Sequence, residues 1–80
     1  MTTELEPVIA QLVDRIERVD DMDQRHQLVQ EAEQAVPKAL RAIRQRMAQQ
    51  MRADGMTWKQ IGQVLGGVSV QRAEQISRGV

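Results

Sequence analysis

The chain has no cysteine, no phenylalanine and no tyrosine, and Trp58 is its one aromatic residue. Without cysteine it can form neither a disulfide nor a thiolate metal framework, which fits a reducing compartment, and a cytoplasmic location is expected. The near-absence of aromatics argues against a sheet protein and against a single-strand reader that stacks bases on rings. One histidine, His26, with no second ligand at metal spacing, implies neither a metal site nor a histidine base. Asp20, Asp21 and Asp23 fall within four positions, but no loop glycine or distal glutamate follows at calcium-loop spacing. Gly66-Gly67 lacks the Lys-Ser/Thr of a phosphate-binding loop. No apolar run approaches the ~20 residues that span a bilayer, and the start of the chain lacks a basic-then-apolar signal. No catalytic constellation, cofactor or membrane partner is therefore expected, and the protein is read as a non-enzyme.

What is abundant is Gln, Arg, Ala, Glu, Leu and Met, the residues that favour helices. The expected fold is all-α, with four to five helices and a C-terminal helix-turn-helix. Eighty residues make a single domain, near the lower size limit for one unstapled core. The formal net charge is zero, but it is unevenly spread. Residues 1–36 hold Arg15, Arg18 and Arg25 against nine acids, a net −6. Residues 37–80 hold eight bases against Asp54 and Glu74, a net +6. An acidic half followed by a basic half is the footprint expected when one end faces phosphate. Charge matching between packed helices is the alternative, and the two are compatible.

Hydrophobic spacing predicts helices near 5–19, 22–35, 37–53, 57–66 and 69–78. In the first, Pro7 suits the opening turn, and Val8, Ile9, Leu12, Val13, Ile16 and Val19 make one apolar stripe. Asp14 and Arg18 have ion-pair spacing. Asp21 or Asp23 caps the second helix, whose apolar face is Leu28, Val29, Ala32 and Val36. Pro37 is expected to break the chain and start a third helix, with Leu40, Ile43, Met47 and Met51 as its core stripe. Arg41, Arg44, Arg46 and Arg52 of that helix are left for phosphate. Asp54-Gly55 stops it.

Residues 57–80, TWKQIGQVLGGVSVQRAEQISRGV, carry the functional signal. Thr57 and Gln60 have the spacing of a capping box. Trp58 is a large anchor between helices, and Ile61, Val64 and Leu65 share a face. Gly62 inside a helix costs about 1 kcal/mol relative to Ala, which calls for a close approach, expected from the following helix. Gly66-Gly67 turns the chain, and Ser69 caps the last helix. Val68, Ala73 and Ile76 form the buried side of that helix, leaving Val70, Gln71, Arg72, Gln75 and Arg78 outward.

The run Met56-Thr57-Trp58-Lys59-Gln60-Ile61-Gly62, with Leu65-Gly66 and Val68-Ser69-x-Gln71-Arg72-Ala73, resembles small actinobacterial helix-turn-helix proteins. In those, a related segment reads roughly (M/L)-S-W-x-x-I-G-x-x-L-G-V-S-R-Q-R-A. It is also similar to the promoter-reading domain, region 4, of sigma factors. The likeness covers about residues 37–78; upstream only the helical arrangement matches. Two departures stand out. Gly67 makes the turn one residue longer than the pattern, and Val70 replaces an Arg that would contact phosphate or guanine.

The resemblance implies sequence-specific binding of double-stranded DNA by a small transcriptional regulator. Gln71 could pair with adenine, Arg72 with guanine, and Val70 could touch a thymine methyl, with Gln75 beside them. Thr57, Lys59, Ser69 and Arg78 are candidates for phosphate. One such helix reads about four base pairs, so a homodimer with Leu12 and Ile16 at or near its interface is expected. The other reading is a protein–protein adaptor of sigma-like fold that contacts RNA polymerase or another regulator.

Overall fold

The computed structural model describes residues 4–80. Four helices follow in order: α1 (Glu6–Glu17), α2 (Met22–Ala53), α3 (Trp58–Val64) and α4 (Val70–Arg78), with no strand among the described residues. The fold is all-α. Two compact units divide between Ala35 and Val36, inside α2.

In the first unit, α1 opens with Pro7 in its first turn, as expected. Its end is satisfied in a way that spacing does not reveal. The half-buried Arg25 of α2 donates from Nε to the Val19 carbonyl and from Nη2 to the Glu17 carbonyl, each at 2.9 Å. A guanidinium fork thereby occupies two carbonyls at the end of α1, where helical partners run out. Asp21 caps α2, its Oδ2 accepting from the Gln24 N–H at 3.0 Å. Asp14 and Arg18 form the expected ion pair at 2.8 Å, but both are exposed, so its contribution to stability is small. Nothing on α1 is buried: Ile16 is half-buried, while Val8, Ile9 and Leu12 are 59%, 57% and 40% exposed.

The expected break at Pro37 does not occur. α2 runs unbroken through Pro37 for 32 residues, so the predicted second and third helices are one. Proline removes the hydrogen bond from its own nitrogen to the Glu33 carbonyl, at a cost of about 3 kcal/mol in a helix interior. Both Glu33 and Pro37 are exposed, so water can take the freed carbonyl. Ala32, Ala35, Ala39, Leu40 and Ala42 favour helix on either side.

In the second unit, the C-terminal part of α2 packs with α3 and α4. Its buried apolar side chains are Ala48, Ile61 and Ala73, with Met51, Met56, Trp58, Leu65, Val68 and Ile76 packed against them. Of the expected stripe of α2, only Met51 packs against the core. Leu40, Ile43 and Met47 are exposed, and Ala48 lies in the interior instead. Small residues on both α2 and α4 leave Ile61 as the one large side chain fully enclosed. Val64, expected beside Ile61, is 55% exposed. Gln45 and Gln49 of α2 both donate side-chain N–H groups to the Ser77 carbonyl of α4, at 3.4 and 2.9 Å.

Pro37→Ala restores the missing donor without touching the buried set. It is expected to raise stability by up to about 3 kcal/mol, read from urea unfolding. A loss of stability would mean that the proline is needed where it stands.

Candidate functional site

The segment from Thr57 to Val80 is built from its caps. Thr57 Oγ1 accepts from the Gln60 N–H at 3.1 Å, and Gln60 Oε1 accepts from the Thr57 N–H at 2.9 Å. This is the reciprocal capping box read from the sequence. Ser69 Oγ likewise accepts from the Arg72 N–H at 3.0 Å and starts α4. Each hydroxyl keeps its own proton free to donate outward.

The turn between the helices is held by the carbonyls of Gly62 and Gln63. The Gly62 oxygen accepts from the N–H groups of Gly67 and Val68 at 2.9 and 3.0 Å, while Gly66 N–H reaches the Gln63 carbonyl at 3.3 Å. The Gly67 and Gly66 bonds close a Schellman end, with Gly66 at φ 97 and the extra Gly67 at φ 82, both in the left-handed region. Gly62 itself makes room for backbone. A Cβ placed there would sit 2.5 Å from the Val68 carbonyl oxygen. The close approach expected from α4 thus comes from the segment that leads into α4.

Trp58 is half-buried against the core, and the Arg52 guanidinium lies 4.8 Å from the centre of its ring. Arg52 also donates to the Met56 carbonyl at 3.0 Å. It is therefore a structural group stacked on an aromatic face, where phosphate contact had been expected.

Beyond the caps Thr57 and Ser69, the expected site residues differ in how free they are to meet a partner. Lys59, Val70 and Gln71 are exposed in the first turns of α3 and α4, where a partner can reach them. Arg78 is exposed but pairs with Glu74, and Gln75, expected outward, is half-buried. Arg72 was expected to face away from Ile76. Instead it lines one groove with Ile76, and its Nη1 donates to the Val80 carbonyl at 2.9 Å and to Gln75 Oε1 at 3.4 Å. Across that groove stand Lys38, Arg41 and Arg44 of α2. Their spacing of three was visible in the sequence, but their partner Arg72 was not. Leu12 is exposed and Ile16 half-buried on α1. No group of three His, Cys, Asp or Glu able to hold a metal ion occurs among the described residues.

Comparison with protein-family models, with curated proteins and with solved structures gives no match for this chain.

Gly62→Ala tests the turn directly. The helix gains about 1 kcal/mol of propensity, but the new methyl forces backbone apart. A net loss of about 1–3 kcal/mol is expected in denaturant unfolding. A neutral or stabilising result would show that the Gly62–Val68 contact does not constrain α4.

Proposed function

We propose that this chain binds double-stranded DNA through α3, the glycine turn and α4, and acts as a small transcriptional regulator. The observation that carries the reading is the capped pair itself. Two short helices, each with a side-chain N-cap, meet at the Gly62–Val68 contact, and Val70 and Gln71 at the start of α4 are exposed. A helix presented in this way can enter a major groove, with its first turn toward base edges. The +6 charge of residues 37–80 supplies attraction to phosphate. Val70 and Gln71 are the base-reading candidates, with Thr57, Lys59 and Ser69 on the backbone. Arg72, Gln75 and Arg78 are tied to neighbours within the chain, and each would have to leave a partner to read DNA.

A second reading is favoured by a specific feature. Val64 and Val70 are 55% and 50% exposed on α3 and α4, and the Glu74–Arg78 pair neutralises part of α4. An apolar, charge-balanced surface of this kind suits a protein adaptor that contacts RNA polymerase or another regulator.

Variants at two positions separate the readings. Gln71→Ala should weaken the preferred duplex by about 1–3 kcal/mol and relax preference at one base pair of each half-site. Lys59→Ala should weaken all duplexes alike and lower the salt slope by about one unit per subunit. Affinity for selected and scrambled duplexes across a salt series measures both. If both variants behave like the parent with the fold intact, the DNA reading gives way to the adaptor.

The uncovered α1 stripe supports a homodimer, with Leu12 and Ile16 at or near its interface. Sedimentation at micromolar concentration is expected to give the mass of two chains, and Leu12→Asp to give one. A parent mass of one chain, unchanged by added DNA, would remove the dimer from the proposal.

A further inference from the structure

Between α2 and α4 of the second unit lies an open groove of ≈ 480 Å3. Lys38, Arg41 and Arg44 line it from α2 and Arg72 from α4, with Ala42 and Ile76 among the apolar lining. No acidic side chain lines it. The second unit contains only two acids, Asp54 and Glu74, and both are engaged elsewhere. Asp54 accepts from Gln50, and Glu74 pairs with Arg78. Four cations thus share one recess with no acidic side chain of the unit to offset their repulsion. The Arg72 guanidinium turns to the backbone oxygen of Val80.

We propose that this groove binds a small polyphosphate, either the inorganic chain or the phosphate tail of a nucleotide. Guanidinium groups fork onto phosphate oxygens, and a lysine adds a mobile point charge. Three arginines and a lysine in one recess match a ligand with several phosphates in a row. The volume falls within the range of about 300–1,000 Å3 common for small-molecule sites. The proposal is independent of the DNA reading, because it needs neither Gln71 nor Lys59.

The test is calorimetric titration of the full chain with sodium tripolyphosphate, and separately with ATP, at physiological ionic strength without divalent cations. Saturable one-to-one binding is expected. Arg41→Gln and Arg72→Gln should each weaken it about tenfold or more, the loss of one charge-assisted contact. Arg15→Gln on α1 removes the same charge far from the groove in sequence and should leave binding within about twofold. Arg41 makes no bond to another element, so its variant keeps the fold, which a melting curve verifies. Tighter binding of ATP identifies the source as a nucleotide; tighter binding of tripolyphosphate identifies the inorganic chain. Absence of saturable binding by both probes, or equal weakening by Arg15→Gln, overturns the proposal. Duplex affinity measured on the same preparations reports on the DNA reading separately.

Discussion

The carbonyl of Val68 meets Gly62 at a distance that leaves no space for a side chain, and the second unit depends on that contact. The same glycine supplies the oxygen that receives the Gly67 and Val68 N–H groups, so one residue both stops α3 and sets where α4 begins. With the turn held there, Ala73 reaches the interior beside Ile61, and Ala48 of α2 closes the set. Three buried apolar side chains are a small core. Its apolar contribution is limited, so the hydrogen bonds at the helix ends carry a larger share of the order than in a bigger domain. The capping box at Thr57, the Ser69 cap and the Schellman bonds at Gly66-Gly67 all lie within 13 residues of chain, on either side of Gly62.

Charge is distributed by use as well as by position. In the first unit Asp21 caps α2, Asp14 pairs with Arg18, and Arg25 is spent on the two carbonyls that end α1. In the second unit Arg52 stacks on Trp58, and the two acids are taken by Gln50 and Arg78. What remains is a set of cations with few internal anions, some beside the turn and some along the groove between α2 and α4. Lys59 at the start of α3 stands apart from the groove set, to which α4 contributes Arg72. The exposed apolar residues of α1 follow from size, since a chain of 80 residues with few large buried side chains leaves much of its apolar surface in water.

Local chemistry was legible in the sequence, because it depends on residues a few positions apart. Thr57 with Gln60, Ser69, Asp21 and the two turn glycines each act within one helical turn, and each does so in the structure. Gly62 was also legible as a close approach, though not its partner, since the spacing of a glycine says nothing about which backbone comes near. What failed were inferences about which face of a helix is covered. The stripe Leu40, Ile43, Met47 and Met51 has the periodicity of a core, yet only Met51 reaches it and Ala48 is the buried residue, because the neighbouring helices pack on another side of α2. Pro37 carried a strong local signal for a break. The helix continues because one lost hydrogen bond at an exposed position is offset by helix-favouring neighbours on both sides. Arg25 on the end of α1, Arg52 on Trp58 and Arg72 across from Lys38, Arg41 and Arg44 could come only from tertiary structure. The sequence by itself determined the helices, their caps and the turn; only the packing decided where each long arginine ends, because such a side chain bonds to whatever the fold brings within its reach.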